Sequence, residues 1–127
     1  MRHNVAGKKL SRSTGQRTAL RRTLMNQFFQ NEKIETTLAK AQAIRSEVER
    51  IITIAKHGNK QEVPADKVHK LRQIIARLGG NVDTAKKVMN DLAGRYENRP
   101  GGYTRIYKLG LRAGDAAEIV RMELVEE

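Results

Sequence analysis

Apolar residues return at helical spacing in four stretches of the chain and alternate with polar ones in three others. From Thr14, Leu20, Leu24 and Phe28 recur every four residues with Met25 beside them. The stripe Ala41, Ile44, Val48, Ile51, Ile52 and Ala55 keeps 3–4 spacing over about four turns and predicts the centre of the core. Thr37 can cap that helix, and Lys56, His57 and Gly58 supply cations in its last turn and a glycine just past its end. Val68, Leu71, Ile75 and Leu78 form the next stripe, opened by Pro64 and ended by Gly79-Gly80. A further helix has Ala85, Val88, Met89 and Leu92 inside, Asp83 as its cap and Gly94 as its stop. Lys33-Ile34-Glu35-Thr36 is short, partly β-branched and alternating, which predicts a brief strand. Tyr103 to Leu111 and Ala117 to Val125 read as two more strands around a turn at Ala113-Gly114-Asp115. In the last of them Val120, Met122 and Leu124 share one face, and Ile119, Arg121 and Glu123 the other. In the strand before it neither face is wholly apolar. The pattern predicts a single α+β domain, three to four helices packed on a small, mainly antiparallel sheet.

Ahead of Thr14 the period is lost. Met1 to Ser13 has only Val5, Ala6 and Leu10 as apolar members, so residues 1–13 read as a basic tail that stays mobile until it meets phosphate, and 14–127 as the folded domain. Arg17 and Arg21 fall on the same side of the first helix as Leu24 and Phe28. A helix does not bury two unpaired arginines on its core stripe. Either its N-terminal half projects past the core, or both side chains snorkel at the core's edge.

The chain has 127 residues, one domain's worth, and no cysteine, which excludes a disulfide framework, a thiolate metal site and a catalytic thiol. No stretch approaches the ~18 apolar residues of a membrane span. Twenty-five Lys/Arg stand against 14 Asp/Glu, a formal net charge of +11, so the expected partner is a polyanion. The excess is concentrated. Seven bases precede the first acid, Glu32, and residues 95–112 hold five bases and one acid. The basic start, rich in Arg, Ser and Thr, also has the composition of a transit peptide. The three histidines have no metal-ligand spacing, and no phosphate loop, dinucleotide fingerprint or nucleophile elbow occurs. No enzyme, cofactor or small-molecule substrate is indicated. A DNA-binding protein of nucleoid or regulatory type would carry the same charge. The helix exposing Lys67, Lys70, Gln73 and Arg77 is, however, lysine-rich and poor as a recognition helix.

Arg99, Arg105, Lys108 and Arg112 are interleaved with Tyr96, Tyr103 and Tyr107. Arginine forks hold phosphates and tyrosine rings stack on unpaired bases. The same residues can instead be core-capping tyrosines and arginines that solubilise an edge strand. Gly101-Gly102 could let backbone N–H groups approach a phosphate.

Four separated motifs carry a resemblance. Met1-Arg2-His3, Gly7-Lys8-Lys9-Leu10-Ser11-Arg12, Glu32 through Ala41, and Gly101 through Ile106 with Arg112 through Ala117 are similar to the bacterial-type large-subunit ribosomal protein L-seventeen family, from Met1 to about Val125. Gln16, the segment Gly58 to Val63, Glu118 and Arg121 depart from its pattern. The resemblance implies a working N-terminus at Met1 and not a removable presequence. It implies a structural constituent of the cytoplasmic ribosome near the nascent-chain tunnel exit, contacting large-subunit ribosomal RNA and neighbouring ribosomal proteins. Arg2, His3, Lys8, Lys9, Arg12, Arg17 and Arg21 match the basic start and Arg22 stands beside them, Lys40 lies in the Glu32–Ala41 motif, and Tyr103, Arg105, Lys108 and Arg112 match the basic strand. With Arg99 they make the candidate RNA-binding set.

Overall fold

A computed structural model describes residues 9–126. In chain order it contains α1 (Thr14–Asn31), β1 (Lys33–Thr37), α2 (Leu38–Asn59), α3 (Pro64–Arg77) and α4 (Val82–Lys87). A π-helical turn over Val88–Leu92 and a last turn, α5 (Ala93–Arg95), continue α4 as one fourth helix. The chain ends with β2 (Thr104–Leu111) and β3 (Glu118–Leu124). The three strands form one sheet in the order β1-β3-β2, with both pairings antiparallel. This is the α+β domain that the periodicities predict.

The register decides which strand faces the helices. Ile34 and Ile106 both pair with Met122, and Thr36 and Lys108 both pair with Val120. Val120 and Met122 are fully buried, so this is the inner face. Lys33 and Arg105 flank Glu123 in an outer row, and Glu35 and Tyr107 flank Arg121 in the next. α2 lies across the inner face, and every member of its predicted stripe is fully buried. Phe28, Phe29, Leu92 and Ile74 close the core from the other helices.

Four local expectations are corrected. Gly58 does not end α2: the helix runs to Asn59, and Gly58 is the point of closest approach to its neighbours. A Cβ there would stand 2.4 Å from Met89 Cε and 3.0 Å from Lys70 Cβ. Val68 is 44% exposed, and fully buried Ile74 takes its place in the α3 stripe, because the first turns of that helix run out past the core. Asn81, not Asp83, caps α4, its side chain accepting from Thr84 N at 3.1 Å. Gly94 lies inside the fourth helix, which closes at Arg95. The π turn is absent from the sequence pattern. Asn59 Nδ2 donates to the Met89 carbonyl at 2.8 Å, so a side chain of α2 satisfies an acceptor within it.

Candidate nucleic-acid interface

α1 starts on a reciprocal cap. Gln16 N donates to Ser13 Oγ and Ser13 N donates to Gln16 Oε1, each at 3.3 Å. Gln16 thus has a local purpose at the helix start. The buried residues of α1 begin at Leu24 and continue through Met25, Phe28 and Phe29. Its first two turns therefore reach past the core, as the placement of Arg17 and Arg21 suggested. Arg17 and Arg21 keep intermediate exposure and Arg22 is exposed. Arg17 Nη2 donates to Thr14 Oγ1 at 3.0 Å. Just ahead, Lys9 and Arg12 are exposed, and Arg12 Nη1 donates to the Leu10 carbonyl at 2.7 Å. Arg2, His3 and Lys8 lie outside the described residues.

α1 ends at Asn31, and the left-handed backbone of Glu32 just past it (φ 64°) turns the chain into β1. Arg95 is hydrogen-bonded to the Glu32 carboxylate, and Lys87 Nζ stands 3.9 Å from it. The bond to Glu32 pushes the Arg95 guanidinium pKa up, with Asp91 adding to the effect. Arg95 is thereby committed to the protein's own acids.

The second basic element is the β2–β3 hairpin. Arg105, Lys108 and Arg112 are all exposed along it. Arg112 donates through Nε and Nη2 to Asp115 across the turn, the fork-to-carboxylate geometry. This hydrogen bond, followed by one from Ala117 N, pulls the Asp115 carboxyl down to about 2 and pushes the Arg112 guanidinium up. Lys108 Nζ lies 3.5 Å from Glu118 Oε1. Lys40 stands one turn beyond Thr37, which pairs with Ile119 opposite Gly110, so it belongs to the hairpin's end of the sheet. β2 packs on β3 and α2, whereas α1 packs on α2, β1 and α4, so α2 is the common neighbour of the two basic elements.

The tyrosines divide. Tyr103 is 1% exposed, so its ring is a core element and not a stacking platform, which corrects its place among the RNA-contacting residues. Tyr96 is fully buried, its ring centroid 5.4 Å from that of Tyr103, and its hydroxyl donates to the Val125 carbonyl. Tyr107, 46% exposed, is the one that presents a face to solvent. Arg99 donates through Nε to the carbonyls of Gly101 and Gly102 at 3.1 and 3.2 Å, so this guanidinium closes its own loop.

Sequence reasoning missed Lys56. It reads as a surface cation of the last turn, but it is 9% exposed, donating to Tyr103 Oη at 2.9 Å and to the Arg99 carbonyl. The loop from Tyr96 to Tyr103 is pinned to α2 by this ammonium. The only sequence signal was its position, one residue past Ala55 on the buried stripe. Among the described residues no group of three or more His, Asp or Glu could hold a metal ion, and no helix is long and apolar enough to cross a membrane.

Exposed arginines and lysines on two elements of a small α+β domain are the surface chemistry of a polyanion-binding protein. A family model described as Ribosomal protein L17 matches residues 20–125. Among relatives, the large ribosomal subunit protein bL17 of Anaplasma marginale is 41% identical over 99% of this chain and 91% of its own length. That of Petrotoga mobilis is 45% identical over 98% of this chain and 97% of its own length. That of Geobacter sulfurreducens is 42% identical over the whole of this chain and 67% of its own length. The chain belongs to the ribosomal protein L17 family. Its role is structural and ribosomal, not enzymatic.

Proposed function

We propose that the protein is built into the large subunit of the cytoplasmic ribosome, where it binds ribosomal RNA and steadies the subunit near the nascent-chain tunnel exit. Membership of the family carries the ribosomal part of this reading. The observation that carries the RNA part is the pair of basic elements standing beyond the core: exposed Lys9, Arg12 and Arg22 with half-buried Arg17 and Arg21 on one, exposed Arg105, Lys108 and Arg112 on the other. The basic start continues through Arg2, His3 and Lys8 in the sequence. Phosphate neutralisation supplies the affinity, since each contact releases counterions. Tyr107 is the residue available for stacking on an unpaired base. Neighbouring ribosomal proteins complete the set of partners.

The test is a competition between a structured large-subunit ribosomal RNA fragment and duplex DNA of equal length at matched salt. The RNA should bind tighter by at least about tenfold, since specific nucleic-acid affinities exceed non-specific ones by 10³ or more when the whole site is present. Equal affinities would return the protein to the general DNA-binding class.

A further inference from the structure

We infer that a groove between α1, α2 and α3 is a phosphate-binding site for RNA, and that Arg77 of α3 belongs to it together with Arg21 and Arg22. This rests on the RNA-binding reading above and adds a site on the helical side of the domain. The groove encloses about 450 Å³ and is lined by Thr18, Arg21, Arg22, Glu47, Gln73 and Arg77 together with Met25 and Ala76. Three guanidinium groups and one carboxylate leave it net positive. The larger hollow beside β2, about 710 Å³, is lined by three bases and three acids and offers no such field.

Two features position the arginines. Gly79, at φ +73°, follows α3, and a Cβ there would stand 3.0 Å from Arg22 Cδ. The Arg22 stem therefore lies against the end of α3, at a position that glycine keeps open. Among the described residues Glu47 accepts only from Arg77 Nη1, at 3.3 and 3.2 Å through its two oxygens. The carboxylate anchors the guanidinium by one nitrogen and leaves Nε and Nη2 for a second acceptor. At the rim the Thr18 hydroxyl already donates to the Thr14 carbonyl, whereas Gln73, whose Nε2 stands 3.1 Å from His69 Nε2, has a second amide N–H to offer. A tetrahedral phosphodiester, which accepts from several donors at once, suits this set.

The groove also separates residues that look alike in the sequence. Lys67 and Arg77 both lie on α3, but Lys67 is outside the groove, and Lys70 packs its stem beside Gly58. The experiment is a salt titration of binding to a large-subunit ribosomal RNA fragment. It uses the full chain, the triple variant Arg21→Gln, Arg22→Gln, Arg77→Gln, and a control with Lys60, Lys67 and Lys86 changed to Gln. The groove variant should flatten the log–log slope by about 2 units, at roughly 0.7–0.9 per contact, and the control by less than about 0.5. Arg77→Lys keeps the cation and should keep the wild-type slope even if the Glu47 contact loosens. Equal flattening by groove and control sets, or loss of slope in Arg77→Lys, would overturn the site, the first by showing only a diffuse field. A slope flattened by replacing Arg2, Lys8, Lys9 and Arg12 but unchanged in the groove variant would leave the RNA reading standing and remove the groove from it. Failure of the wild-type chain to bind would remove both.

Discussion

The outer turns of α1 and the outer half of the β2–β3 hairpin both carry cations past the core, but they treat them differently. On the hairpin, Asp115 takes two nitrogens of Arg112, and Glu118 lies 3.5 Å from Lys108. On α1 there is no acid in the first turn, and the first acid of the chain is Glu32, at the other end of the helix. The Arg17 guanidinium meets a neutral hydroxyl. Charges that are already opposed gain less from a phosphate than charges that are not. On the RNA-binding reading proposed above, α1 and the residues before it would accordingly be the main anchor, and the hairpin an arm with weaker electrostatic pull.

Both elements stand on α2, so damage to its centre should remove the difference between them. Ile51→Ala deletes a fully buried side chain from the middle of the stripe and should cost about 2–5 kcal/mol in a denaturant melt. A loss under about 0.5 kcal/mol would mean that the stripe is not the core. Damage to one root should instead affect one element. Tyr103→Phe removes the hydroxyl that accepts from Lys56 and leaves a buried ammonium with one partner fewer. It should cost about 1–2 kcal/mol and speed amide exchange in β2 more than in α1. Uniform acceleration would show that Lys56 supports the whole domain and not the hairpin's root.

A smaller change should move the hairpin toward α1 in behaviour. Asp115→Asn releases the Arg112 fork, and the salt dependence of RNA binding should steepen by up to about 0.7–0.9. An unchanged slope would place Arg112 away from phosphate. The smallest effect is on stability against pH. The Asp115 carboxyl is held at about 2 in the fold, against 3.8 for an ordinary aspartate. Its folded pKa is the lower one, so its contribution is complete above about pH 4 and is lost as pH falls toward 2. The group is exposed, so the change should be slight. An NMR titration should find its midpoint near 2 in the wild type, and one near 4 would deny the pair in solution.

Where a residue's neighbours lie within one turn or one strand step, the sequence was readable. The α2 stripe, the Thr37 cap, the turn at Ala113-Gly114-Asp115 and the inner face of β3 all depend on local period and appear as anticipated. Gly58 resembled a helix stop because glycine usually is one, and the reason it is not lies on Met89, thirty-one positions away by sequence number. Tyr103 and Lys56 look amphipathic in sequence, and only the packing of the 96–103 loop on α2 buries them. The same holds for the candidate site. Net charge and its two blocks pointed to a polyanion, but which cations are opposed by acids depends on strand pairing and a turn. The Arg21, Arg22 and Arg77 groove depends on three helices meeting, which no spacing along the chain encodes.

The central claim is that the basic start and α1 dominate RNA binding while the hairpin contributes less. It is tested most directly by salt titration of binding to one large-subunit ribosomal RNA fragment, using two sets of alanine variants. Replacing Arg2, Lys8, Lys9 and Arg12 should flatten the slope by about 2–4 units and leave the melting temperature of the free protein nearly unchanged. Replacing Arg105, Lys108 and Arg112 should flatten it by about 1. A hairpin set that flattens the slope more than the N-terminal set would contradict the account.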